Sequence, residues 1–267
     1  MKALFHWFEA LVREVYRQRL SDEAAKIAYF LLISLFPFLL VLFSLVGRFA
    51  SDAVSSWALE QLLNVMPRET AEYVSRYVEE VVSSVRPELL VAALLLFLWS
   101  GSNLLVTLTE GLNRIFGVPE GRRWWHRRLV AMAFVLAMAV AVAVWGSLFA
   151  VASGRVRGLE VLWGSGHSTV LYLILAAVLF AVYTVMPNHA TRPSLRRLAA
   201  GALASTTIWW VASVGFRFYL ATYARYTLFY GFVAGWLILL LWLYMLGYSI
   251  LIGAVVACSL PTRRDSS

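Results

Sequence analysis

Cysteine is nearly absent: Cys258 stands alone among 267 residues. A single thiol closes no internal disulfide and builds no thiolate metal site, so oxidative stapling is excluded. Charge is scarce as well. Only 14% of residues are charged, against about a quarter in soluble domains, which excludes an ordinary cytosolic fold. Disorder is excluded by the 61% hydrophobic content, and the 16 glycines and 7 prolines show no collagen-like period. Catalytic constellations are also missing. His6, His126, His167 and His189 are scattered singly, with no His-x-x-x-His and no acid at a ligating spacing, so no metal is expected. The sequence holds neither a Gly-x-Ser-x-Gly elbow nor a phosphate loop, and the cluster Gly164-Ser165-Gly166-His167 lacks an acid to orient a base. A non-enzymatic protein without a cofactor is the expectation.

What the sequence has in abundance is unbroken apolar length. Six stretches qualify: residues 27–47, 89–109, 129–151, 168–187, 198–221 and 228–258. At ~1.5 Å per residue even the shortest reaches about 30 Å, the thickness of hydrocarbon that a helix crosses when lipid offers its backbone no partners. The first stretch is no signal peptide, because Asp22, Glu23 and Lys26 directly precede it and no small-residue cleavage site closes it. The reading is an all-α, polytopic integral membrane protein, residues 1–267 forming one membrane domain.

The net charge of +8 raises nucleic acid as a partner, and the placement of the cations argues against it. Fifteen of the 23 basic residues fall before the first span, after the second, after the fourth and after the sixth; eight fall on the alternate side. That is the positive-inside bias, and it puts both chain ends in the cytoplasm. Two segments outside the spans carry helical patterns. Residues 1–20 align Leu4, Phe8, Leu11 and Val15 on one stripe, as suits a helix lying on the inner membrane surface, with Ser21 as the N-cap of the first span. Residues 48–88, with seven acids and a break at Pro67, form a helical connection outside the cytoplasm that either caps the bundle or serves as a docking surface or gate.

Polar and helix-breaking groups inside the spans are the most informative positions, since each is costly in hydrocarbon. Ser34 and Pro37 interrupt the first span; Pro37 frees the carbonyl of Ile33 and allows bending. Ser100, Gly101, Ser102 and Asn103 interrupt the second span and are expected to face the protein interior, as interhelical glue or as the lining of a substrate path. Near the cytoplasmic end of that span stand Glu110, Asn113 and Arg114, with Glu110 and Arg114 at the i, i+4 spacing of a helical ion pair; the functional alternative is a cytoplasmic gate or headgroup contact. Arg217 and Arg225, with Tyr219, Tyr223, Tyr226 and Tyr230, gather cations and aromatics at the outer interface, where they would meet an anionic headgroup if they are more than an aromatic belt. Gly201 with Ser205, and Gly231 with Gly235, offer small-x-x-x-small faces for close helix packing. The breaks of the first three spans do not recur in the last three, so no inverted repeat is supported.

Several of these runs, taken in order, resemble the YihY / virulence factor BrkB family of bacterial inner-membrane proteins. They are Ala28-Tyr29-Phe30 through Ser34-Leu35-Phe36-Pro37; Trp99-Ser100-Gly101-Ser102 with Gly111-Leu112-Asn113-Arg114 and Phe116-Gly117-Val118; Pro187 with Gly201-Ala202 and Trp209; and Tyr219, Tyr223, Tyr226 and Tyr230-Gly231 leading to Trp242, Tyr244 and Gly253-Ala254. The resemblance covers most of the chain and implies six spans in the inner membrane. It implies no settled activity: the family carries labels of transfer-RNA-processing ribonuclease, of serum resistance, and of handling lipids or lipopolysaccharide precursors. One departure is clear. Where the family pattern reads Gly-Ala-Glu, this chain reads Gly253-Ala254-Val255, so any proton coupling through that acid is absent here. The ribonuclease label finds no cluster of acids or histidines to hold metal ions.

The function expected from the sequence is movement or presentation of an amphiphilic, anionic, lipid-like substrate in the membrane. Ser100, Ser102 and Asn103 would line its path, and Pro37 would allow bending. Membrane lipids are the expected partners. The competing expectation is a scaffold for cell-envelope proteins, and a homo-oligomer is compatible with both.

Overall fold

The computed structural model describes residue 9 and residues 13–49, 87–155, 159–188, 193–223 and 227–259; side chains are described for most of these, but not for 42–49, 87–89, 142–155, 159–168, 170–171, 220–223 or 227–234. Six long helices account for nearly all of them: α1 Leu20–Phe49, α2 Pro87–Phe116, α3 Trp124–Arg155, α4 Leu159–Val185, α5 Leu195–Tyr223 and α6 Thr227–Ser259. No strand occurs among the described residues. The protein is an all-helical, polytopic membrane protein. Five helices carry described stretches long and apolar enough to cross a bilayer, and α4 contributes the shorter stretch Tyr172–Val185 within a helix of 27 residues.

Local sequence explains the helix ends. Pro87 opens α2, where its missing N–H and fixed φ suit a first helical turn. Gly117 closes α2 in the left-handed region at φ 66°, and the Gly117 and Val118 amides return to the carbonyls of Arg114 and Asn113 at 3.2 and 2.9 Å. This is a Schellman ending, which satisfies two of the orphan carbonyls. The entry to α1 differs from the expected cap. Arg19, at φ 50°, precedes the first helical residue Leu20, so Ser21 lies inside the helix, with its hydroxyl turned to the Asp22 carboxylate rather than to a backbone amide. Asp22 and Glu23 still place negative charge at the positive end of the helix.

Of the expected surface helix 1–20, residues 13–17 are helical and residues 18–19 form the turn into α1; the rest lies outside the described residues, apart from Glu9. The expected connection 48–88 lies outside them too, except that Arg48 and Phe49 continue α1 and Pro87 and Glu88 begin α2.

The helices pack α1 against α2 and α6, α2 against α3, and α5 against α4 and α6. Phe38 meets Phe97 across α1 and α2 at 5.3 Å between ring centres, Phe36 meets Trp236 across α1 and α6 at 5.0 Å, and Trp209 meets Trp242 across α5 and α6 at 5.6 Å. The outside is oily: Leu95, Trp99, Val211, Phe218 and Leu237 are all exposed. The inside holds Ser34, Ser100, Ser102, Thr109, Ser205, Thr206 and Ser249, all buried. Small hydroxyl residues inward and large apolar residues outward is the pattern of a bundle whose solvent is lipid.

Side-chain contacts bring the start of α1, the α2–α3 turn, the end of α4, the start of α5 and the end of α6 to one end of the bundle. We call it the basal end.

Candidate functional site

Among the described residues, the ion pairs that join helices stand at the basal end. Glu23, with its side chain only 6% exposed, accepts from Lys26 at 3.1 Å and from Arg114 of α2 at 2.9 Å. The expected i, i+4 pair between Glu110 and Arg114 is therefore not formed. Arg114 turns to α1, and Glu110 pairs instead with Arg127 of α3 at 3.0 Å. A local helical pair contributes a few tenths of a kcal/mol, whereas a buried carboxylate without cations costs several, so the tertiary arrangement wins.

Beside it, Asn113 is the centre of a polar knot. Its side chain is buried, its Nδ2 donates to Glu120 Oε2 at 2.7 Å, and its Oδ1 accepts from the Asn188 amide at 2.9 Å. Asn188 Nδ2 donates in turn to the Pro119 carbonyl at 3.0 Å. Arg122 grips Glu120 through Nε and Nη2, both at 2.9 Å, and extends Nη2 to the Met186 carbonyl at 2.7 Å. The Arg122 hydrogen bond, aided by the Asn113 amide, holds the Glu120 carboxyl below its usual range against a smaller opposing effect of burial. Together these groups tie the α2–α3 turn to the end of α4.

The third element is the seam between α2 and α3. Arg128 lies in the first turns of α3, and its guanidinium carbon stands 3.7 Å from the centre of the Trp99 ring. Trp99 is roughly 25 Å from the Phe116 end of α2 at a rise of ~1.5 Å per residue, so Arg128 reaches deep along the helix instead of rising to its polar end. Trp99 is 60% exposed, on the lipid-facing side. Two guanidinium nitrogens here, Arg127 Nε and Arg128 Nη2, are buried with no hydrogen-bond partner. Trp99, Asn103 and Glu110 share one face of α2 by helical spacing, and Asn103 is half-buried.

The remaining sequence-predicted residues do not converge on this place. Ser100 and Ser102 are buried, but their hydroxyls donate to carbonyls of their own helix, Leu96 at 2.7 Å and Trp99 at 2.8 Å. Ser34 does the same to Leu31 at 3.0 Å, and Pro37 sits half-buried within continuous α1. Arg217 and Tyr219 are exposed toward the far end of α5, with Tyr219 stacked on Phe216. The side chains of Tyr223, Tyr230 and Gly231 lie outside the described residues, and Gly235 is buried.

Gly201 and Ser205 form the crossing of α5 with α6. A Cβ on Gly201 would stand 2.6 Å from the Gly253 carbonyl oxygen, and one on Gly253 would stand 1.8 Å from Ser205 Oγ. Into the same crossing α4 inserts Tyr183, fully buried, whose hydroxyl meets Ser205 Oγ at 2.6 Å and the Ile250 carbonyl, while Ser205 donates to the Ser249 carbonyl at 3.0 Å. At the basal end Arg197 of α5 caps α6 through the carbonyls of Ala257 and Cys258.

Sequence reasoning missed Trp99, Glu120, Arg122, Arg127, Arg128, Tyr183 and Arg197 as members of these networks. The arginines served there only to orient the chain. Their signal was position: Arg127 and Arg128 stand against the apolar run that begins at Leu129.

Comparison with known proteins gives a family model described as Virulence factor BrkB, matching residues 11–267. The chain is 29% identical to a ribonuclease-like protein, YfkH, of Bacillus subtilis, with 91% of each chain covered. It is 30% identical to a UPF0761 membrane protein of Tolumonas auensis, covering 93% of this chain and 83% of that one. A UPF0761 membrane protein of Xanthomonas campestris pv. campestris is 28% identical over 95% of this chain, which spans 60% of that relative's length. No solved structure matches.

Proposed function

We propose that this chain, which belongs to the virulence factor BrkB family, moves or presents an amphiphilic, anionic lipid in a bacterial inner membrane, with its basal end in the cytoplasm. The observation that supports this reading is Arg128, held against the lipid-exposed ring of Trp99. A cation kept at such depth is expensive, and an ionisable group retained there marks a place where charge is handled. Its surroundings are oily: Leu95, Leu96, Leu129 and Leu136 are exposed on the same two helices. An acyl chain suits that surface, and a negative headgroup suits the cation. The basal arginines 114, 122, 123, 127, 128, 196 and 197 favour the cytoplasmic side by the positive-inside bias.

The test is reconstitution into phosphatidylcholine liposomes carrying a fluorescent phosphatidylglycerol in one leaflet. The intact protein should speed equilibration of the label between leaflets, and Arg128→Gln should slow it. Equilibration no faster than in protein-free liposomes, across phosphatidylglycerol, phosphatidic acid and cardiolipin, rejects movement as the function.

A further inference from the structure

Deepening that reading, we infer that the α2–α3 seam is a binding site for the phosphate of a membrane lipid, in which Arg127 and Arg128 are the phosphate ligands and Glu110 is an internal stand-in that the phosphate displaces. Three observations carry it. First, the buried Arg127 Nε and Arg128 Nη2 each lack an acceptor, and a buried donor on a charged group is costly to leave unmade. Phosphate supplies several acceptor oxygens and suits the planar fork of guanidinium. Second, the Glu110 carboxylate that does reach Arg127, at 3.0 Å, is half exposed while its arginine is largely covered. A carboxylate at the rim is weakly held and can yield to a ligand of greater charge. Third, the first turn of α3 contains no acidic residue, so no carboxylate of its own answers the positive end of that helix.

The lipid source follows from Trp99. The plane beneath Arg128 is an exposed indole among exposed leucines, a surface for glycerol and acyl carbons rather than for a hydrated ion. Asn103, on the same face of α2, lies between the levels of Trp99 and Glu110 and can donate to a headgroup oxygen.

Native mass spectrometry of the full chain, released from detergent micelles doped with phosphatidylglycerol or phosphatidylcholine, tests the site. Both lipids carry a phosphodiester, but the trimethylammonium of phosphatidylcholine offsets its charge and sets a cation beside two arginines; phosphatidylglycerol should therefore be retained roughly tenfold or more over phosphatidylcholine, and Arg127→Gln or Arg128→Gln should remove that preference. Glu110→Gln should strengthen retention, a gain that misfolding does not produce. The site is overturned if Arg128→Gln keeps the preference, or if Glu110→Gln weakens retention as much as Arg127→Gln does. Inorganic phosphate at matching concentration serves as competitor; full displacement of the lipid by it overturns the lipid assignment in favour of a soluble phosphate. Retention is read without any movement. Lipid retained with unchanged leaflet distribution therefore defeats the proposed transport and leaves the site, whereas transport indifferent to both arginines defeats the site alone.

Discussion

The guanidinium carbon of Arg128 stands 3.7 Å from the centre of the Trp99 ring, the separation of a guanidinium stacked on the face of an indole. In water such a contact contributes about 0.5–1 kcal/mol, and about 2 kcal/mol or more where the cation is desolvated. Arg128 belongs to the second case, since it has a buried nitrogen with no other partner. Replacing Trp99 by Leu keeps an apolar surface and removes the ring. The expected outcome is a loss of ~1–2 kcal/mol in thermal unfolding of the detergent-solubilised protein, with Trp99→Phe losing less. A Leu variant as stable as the parent would show that the ring holds no charge.

Glu23 with Arg114 and Lys26 invites a coupling measurement. Glu23→Gln should destabilise by about 1–3 kcal/mol, because two cations lose the one buried carboxylate between them and both cations retain partial access to solvent. The double variant Glu23→Gln with Arg114→Met should then be less destabilised than the sum of the singles. Glu110→Gln with Arg114→Met should be additive, since those residues have separate partners. Coupling in the second pair, and none in the first, would restore the local helical pair.

Glu120 sets a direction with pH. Its carboxyl is held below the ordinary value of 4.5, chiefly by the Arg122 hydrogen bond. A group whose folded value is depressed contributes stability that is fully present above its unfolded value and is lost as pH falls through the lowered folded value. Unfolding midpoints recorded from neutral pH downward should therefore fall below pH 4.5 in the parent. Glu120→Gln, which keeps the shape and removes the charge, should be less stable at neutral pH and should show a flatter acid limb. An equal slope in both proteins would remove Glu120 as the source.

Much of the fold was legible in the sequence, and the reason is chemical. Lipid leaves a backbone few choices, so unbroken apolar length suffices to place helices, and the six expected apolar stretches fall within the six observed helices except at Met186 and Pro187, which follow the end of α4 at Val185. Small residues were legible by spacing, so Gly201 and Ser205 could be read as a packing face. Their partner could not, because which helix meets that face depends on the whole bundle, and Gly253 was noticed only within a family pattern. Ion pairs were the least legible. Glu110 and Arg114 satisfy every local condition for pairing, yet each has a partner on another helix. Serines were ambiguous for a related reason: Ser100 and Ser102 are buried as expected of inward-facing groups, but a hydroxyl that bonds its own helix is already satisfied and offers a substrate little.

The crossing of α5 and α6 gives the most severe test of the fold. The Ser205 hydroxyl occupies the place where a Cβ on Gly253 would stand, and a Cβ on Gly201 would stand 2.6 Å from the Gly253 carbonyl oxygen. No rotamer change relieves the second contact, since a backbone oxygen is the obstacle. Gly201→Val should therefore push the helices apart, break the hydrogen bonds of Ser205 to α6 and expose the Tyr183 hydroxyl, for a loss of ~3 kcal/mol or more as the cost of overpacking adds to that of unmade bonds. Ser205→Ala in the parent removes one hydroxyl without forcing the helices apart, so it should cost only about 1–2 kcal/mol. Combining Gly201→Val with Ser205→Ala should cost less than the sum, because the hydroxyl has already lost its partners in the first variant. The measurement is the unfolding midpoint in one detergent together with the fraction that elutes as a single species. A Gly201→Val protein that is monodisperse and as stable as the parent would place α5 elsewhere than against α6.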